Sequence, residues 1–174
     1  MSNLRLVKEY TSPSVRLFTA SDLFTEDYDT YLIQVTLESS TGSNAVEVQL
    51  VNNQGEVIGE NHYDMAAHLH YSNANTGESR TTDGDNWSNV TYESTGSFST
   101  DIYVFNPYQT DRYTMVMSNS VGWYNAGGVE LTNINAVHNV RVNARATGLK
   151  FYGRASGDID LKLSNLWGMK YKSE

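Results

Sequence analysis

The chain has 174 residues, no cysteine and a formal net charge of −8. That length suffices for one domain with a buried core, and the missing thiols exclude a disulfide framework, a thiol nucleophile and a cysteine-ligated metal. The acidic balance argues against nucleic acid, whose phosphates call for clustered Lys and Arg, and no stretch approaches the roughly 18 apolar residues of a membrane helix, so no membrane partner is expected.

The opening, from Met1 to Ser12, lacks an apolar core and a small-residue cleavage site and does not read as a signal peptide. Residues 1–20 alternate apolar and polar positions and carry the bases Arg5, Lys8 and Arg16. They read as an N-terminal arm or edge strand that docks on an acidic neighbour. Residues 21–174 read as a single domain, since no linker, internal repeat or composition break divides them.

Within that domain helical periodicity is nearly absent and period-two alternation recurs. Tyr31, Ile33, Val35 and Leu37 alternate with polar or outward positions. Val46, Val48 and Leu50 alternate with Glu47 and Gln49. Asn52-Asn53-Gln54-Gly55 supplies a tight reversal, because Asn and Gly tolerate positive φ, and Val57-Ile58 begins the return. From His62 to Tyr71, one face carries Tyr63, Met65, Ala67 and Leu69. Residues 72–97 are polar and read as a long irregular loop, of a length that is usually functional or ordered by a partner.

Ile102 to Phe105 is a short strand stopped at Asn106-Pro107. Tyr113, Met115 and Met117 alternate next, and residues 118–128, with Trp123-Tyr124 beside Gly127-Gly128, read as a second loop. Val140 and Val142, Leu149 and Phe151, and finally Ile159, Leu161 and Leu163 complete the pattern. Eight to ten strands at this spacing predict an all-β sandwich of antiparallel sheets.

Charge is unevenly spread. Residues 17–79 hold ten acids and no Lys or Arg, whereas residues 141–174 hold seven bases against three acids. The two segments either face each other within one sandwich or meet between copies, where complementary potentials set register.

Candidate chemistry is sparse. His68 and His70 share a strand face in a geometry that chelates metal, but no third ligand is identifiable and a solvent face explains them as well. Asp83-Gly84-Asp85-Asn86 has the oxygen density of a calcium loop without the 12-residue ligand pattern, and reads as an acidic turn. Asp158 and Asp160 alternate with Ile159 on an amphipathic strand, with no sign of the sugar cleft that a carboxylate pair would need. Asn86-Trp87-Ser88 and Asn89-Val90-Thr91 match glycosylation acceptors, which carry little weight without a secretory signal. Nucleophile elbows, phosphate loops and zinc motifs are missing, so the chain is expected to bind and assemble, not to catalyse, and no cofactor or metal is expected.

The aromatic residues carry the remaining signal: twelve Tyr and three Trp. Such side chains offer large contact area with few rotatable bonds. Trp87, Tyr92, Trp123 and Tyr124 are expected outside the core, as contacts for a partner or as packing beneath loops. Trp167 is expected in the core.

Several phrases carry a resemblance. Leu6-Val7-Lys8-Glu9-Tyr10-Thr11-Ser12, Asp27 to Ile33, the Val48-to-Ile58 hairpin with Asn61-His62-Tyr63-Asp64, and Ile102 to Tyr108 resemble a family of tailed-bacteriophage virion proteins. The ending Leu166-Trp167-Gly168-Met169-Lys170 is similar to that family's terminal leucine-tyrosine-glycine-isoleucine-lysine strand, with Trp in place of Tyr. The resemblance implies an antiparallel jelly-roll sandwich, used as a homotrimer, with no catalytic residue to carry over. It implies a capsid decoration (cement) protein made in the host cytoplasm and added to the capsid exterior, where it binds the major capsid protein and copies of itself. No collagen-like or coiled-coil stalk appears, which favours a stand-alone piece. The alternative is a head-fibre or tail-fibre tip that binds host surface glycan through Trp87, Tyr92, Trp123 and Tyr124.

Overall fold

The computed structural model describes residues 4–10, 17–39, 46–73, 75–88, 90, 97–125, 129–153 and 159–169. Among these, every regular element is a β-strand. In chain order they are β1 (Leu4–Tyr10), β2 (Leu17–Ala20), β3 (Thr30–Ser39), β4 (Val46–Val51), β5 (Tyr63–Tyr71), β6 (Thr76–Gly84), β7 (Ser97–Phe105), β8 (Thr114–Asn125), β9 (Val129–Val140), β10 (Gly148–Gly153) and β11 (Ile159–Met169).

They form two antiparallel sheets of unequal width. The large sheet runs β1-β11-β3-β7-β8-β9-β5-β6 and the small one β2-β10-β4. The chain crosses between sheets at β1 to β2, β2 to β3, β3 to β4, β4 to β5, β9 to β10 and β10 to β11. The main core lies between them: Tyr31, Ile33 and Val35 of β3, with Ile102, Val104, Val116 and Val140, meet Val48, Leu50, Leu149 and Phe151. Three strands cannot cover eight. A second apolar cluster, with Met65, Ala67, Leu69, Phe98, Ile134 and Ala136, fills the inner face toward β5 and β9.

Local chemistry explains several junctions. The Asn52 side chain accepts from the Gln54 and Glu56 amides, Gly55 has φ +80°, and Ile58 N–H donates to Leu50 O at 2.9 Å. The return after this turn is one bridge, Val51 with Val57, and not a strand. The Tyr63 hydroxyl clamps it, accepting from Leu50 N–H and donating to Ile58 O. β7 ends at Phe105 as the Asn106-Pro107 stop predicts, with Asn106 at φ +55°.

Two sequence expectations are corrected. The polar stretch 72–97 contains the strand β6, paired in register with β5 through Ala66↔Arg80 and His68↔Glu78. Its Thr, Glu and Arg side chains suit a sheet edge, where charge discourages further pairing, so no apolar alternation marks it. The segment 118–128 is no loop at its start, because β8 continues to Asn125 against β9, with Trp123↔Leu131 and Tyr124↔Glu130 in register.

β4 departs from its expected alternation as well. All six of its residues are buried, including Glu47 and Gln49. The chain at Asp85 to Trp87 lies along its free edge: Gln49 donates to Asp85 O, Asn86 donates to Glu47, and Val48 and Trp87 exchange both backbone hydrogen bonds.

Candidate binding face

β8 has two phases, and their chemistry is inverted relative to a simple reading of alternation. Thr114, Val116, Ser118 and Ser120 point inward and are buried. Met115, Met117, Val121 and Trp123 point outward, about half exposed; Met117 is 51% exposed and Trp123 49%. β9 repeats this, burying Thr132, Ile134, Ala136 and His138 while exposing Leu131 and Val137. The inner phase is small for a steric reason. Ser120 Oγ hydrogen-bonds Val90 O and lies 2.8 Å from Thr100 Oγ1, and a Cβ at Gly122 would sit 2.5 Å from the Phe98 ring.

Register extends this outward face into rows that cross the sheet. One row reads Ala66, Val137, Met117, Tyr103, Leu32, Trp167 and Leu6, each directly paired with the next. The adjacent row reads Glu78, His68, Asn135, Asn119, Asp101 and Gln34. The first is mostly apolar and the second is amide-rich. Polar groups of the second row bond to one another and to Asn133 of the row beyond: Gln34 donates to Asp101 at 3.1 Å, Asn133 to Asn119 at 2.8 Å, and Asn135 to Asn133 at 2.6 Å. Two hollows of about 620 and 610 Å³ lie over this region; both are lined by Ala66, Arg80, Met117 and Val137, one also by Phe105 and the other by Tyr103.

The predicted contact residues are scattered. Trp87 is a correction: it is fully buried, its ring 5.8 Å from both Tyr63 and His138. Bridging to the β4 edge swings the indole into the core, so it is no surface platform. Trp123 lies on the outward face, though in a strand. Tyr124 follows it in β8, and its side chain lies outside the described residues, as do Tyr92 and Arg16 entirely. Arg5 is exposed on edge strand β1 opposite Gly168, and Lys8 of the same strand pairs with Asp22. Trp167 is also corrected. It is half-buried in the outward row, its indole N–H donating to Gln34 Oε1 at 3.0 Å, because its register partner is Leu32 and not an inward residue of β3.

His68 and His70 are both exposed, rings stacked at 6.5 Å, with Glu78 3.9 Å from His68. Among the described residues no group of three His, Cys, Asp or Glu is arranged to hold a metal. Asp83 and Asp64 both pair with Arg141, which joins the acidic and basic parts of the chain within one molecule. The bases Arg145 and Lys150 sit over the rings of Tyr108 and Tyr152. Asp158 lies outside the described residues, as does the Asp160 side chain.

Inside the sheet, His138 lies 3.4 Å from Ser118. Burial pushes its imidazole down to about 3, so it is neutral. Burial also raises the Tyr63 hydroxyl, and burial with the nearby Glu47 carboxylate raises that of Tyr152. These groups serve the interior.

The alternation of Met115 and Met117 predicts a strand but not that these side chains lie on the surface. A signal was present: residues 114–129 contain no charged side chain. Charge depletion with Met and Trp enrichment is the composition of an interface centre. Compared with known proteins, the chain matches no protein-family model and no curated protein.

Proposed function

We propose that this chain is a structural protein of a tailed-phage particle, a capsid decoration protein that binds the outer shell and its own neighbours. The observation that carries the reading is the outward face of β8 and β9, where Met115, Met117, Val121, Trp123, Leu131 and Val137 stand about half exposed. Exposed apolar side chains clustered on one face, here in two groups either side of an amide row, mark interaction sites. The sequence phrases at both ends of the chain supply the phage context. The jelly-roll variety of sandwich belongs to this reading; its support is the repeated crossing of the chain between two antiparallel sheets.

The mechanism is adhesion. An interface of standard size buries roughly 1,600 Å², and many copies on one lattice make modest contacts effective through multivalency. Quantifying this chain against the major shell protein in purified virions tests the role. Hundreds of copies, with heat or osmotic resistance lost in particles that lack it, support cementing. A few dozen copies, or unchanged robustness, would overturn it. The glycan-binding tip keeps some support from Trp123 and from Tyr103 beside the amide row, and it loses Trp87 as a stacking platform. Glycan-array binding abolished by Trp123→Ala and Tyr103→Ala would favour the tip over the cement.

A further inference from the structure

We propose that the outward face of the large sheet is the contact between two copies of this chain, packed face to face about a twofold axis. The axis lies in the interface, parallel to the strands, between β8 and β9. This rests on the assembly reading above and names a second copy as the partner for this face. It also replaces, for this contact, the threefold arrangement that the family resemblance implies.

Charge permits a like partner only if the strands flanking the axis are free of it. Each copy carries −8, so two copies repel unless acids stay away from the centre. β8 has no charged residue, and on β9 from Leu131 onward the sole titratable side chain, His138, points inward. The charged side chains of this face, Asp64 on β5, Glu78 and Arg80 on β6 and Asp101 on β7, lie off the axis.

The row pattern then selects the axis. Rotation by a half turn about a line parallel to the strands leaves each cross-strand row at its own height and reverses the order of strands. β8 therefore lies over the partner's β9, and β7 over the partner's β5. Met117 meets the partner's Val137. Asn119 meets the partner's Asn135, and amides both donate and accept, so they pair with one another. Tyr103 falls over the partner's Ala66, which lines the hollow with Arg80, so a large side chain faces a small one. Asp101 faces the partner's His68. An axis set across the strands, between the two rows, would instead lay amides on apolar side chains.

The area is adequate. From Met115 to Trp123 the face is roughly 30 Å long, and the six strands that this axis matches in pairs, β3, β7, β8, β9, β5 and β6, span about 29 Å at ordinary strand spacing. That is on the order of 850 Å² before side-chain relief, against about 800 Å² per partner in a standard interface. Stacked sheets pack about 10 Å apart with their strands within about 30°, so the register holds best near the axis.

Sedimentation velocity of the full chain over a concentration series tests this. The wild type is expected to dimerise. Met117→Arg and Val137→Glu, both at half-exposed sites, should each weaken the dimer at least about tenfold, with the circular-dichroism strand signal unchanged. Mixing the two variants should restore association, because the axis sets the Met117→Arg site of one chain against the Val137→Glu site of the other. A monomeric wild type, a trimer insensitive to both substitutions, or a mixture that stays dissociated would each overturn the proposal. Copy number in virions is a separate readout: a chain abundant on particles yet monomeric alone sinks this inference and leaves the cement role standing.

Discussion

β3 and β8 are neighbours of β7 in one sheet, yet they use the same alternation in opposite ways. In β3 the apolar phase, Tyr31, Ile33 and Val35, points inward and is buried. In β8 the bulky apolar phase points outward while Thr114, Ser118 and Ser120 face the interior. The difference lies in what covers each strand. β3 faces the small sheet across a thick apolar layer, whereas β8 meets Val90 and Phe98 at close range, where only small side chains fit. Alternation identifies a strand. It does not say which phase a protein buries.

Substitutions on the two faces should therefore separate stability from association. The largest effect is expected from Trp87→Ala, which empties a fully buried site and should cost about 3–5 kcal/mol in chemical denaturation. A near wild-type midpoint would return this indole to the surface and collapse the distinction drawn above.

Acidification ranks next. His138 is buried against Ser118 and Trp87, and its folded pKa of about 3 lies below its ordinary 6.5. The unfolded chain therefore takes up a proton below about 6.5 that the folded chain refuses until about 3. This contribution is complete above that window and is lost as pH falls through it, by up to about 1.4 kcal/mol per pH unit. Measured from neutrality to about pH 5, above the usual carboxylate range, the slope should flatten in His138→Gln. An equal slope in both proteins would assign the acid sensitivity elsewhere.

A smaller loss, about 1–2 kcal/mol, is expected from Ser120→Ala, which strands Val90 O and takes a partner from Thr100. A neutral result would mean that the small inner phase of β8 is a matter of volume alone. The smallest effect belongs to Met117→Gln on the outward face. The stability of the dispersed chain should move by no more than about 0.5 kcal/mol. A loss as large as that of Trp87→Ala would show that the face is covered within a single chain.

Much of the fold was legible in the sequence. The inward face of β5 (Tyr63, Met65, Ala67, Leu69), the Asn52 to Gly55 turn and the stop at Asn106-Pro107 all follow from side-chain period and backbone chemistry. The candidate face was only half legible. The uncharged run through β8 was visible, but its outward orientation was not.

By itself, the sequence determined that the chain folds into strands, because period-two patterning and turn residues act locally. Tertiary structure alone decided four things: that β6 is a strand, that Trp87 is interior, that Trp167 lies in the outward row, and that the bulky phase of β8 faces out. Each depends on what lies across a ladder or beneath a sheet. Backbone pairing with β5 needs no apolar pattern in β6, and the bridge to β4 places Trp87 wherever that edge runs. A three-stranded sheet beneath an eight-stranded one decides which alternating phase is covered, and that width is a property of the assembled fold.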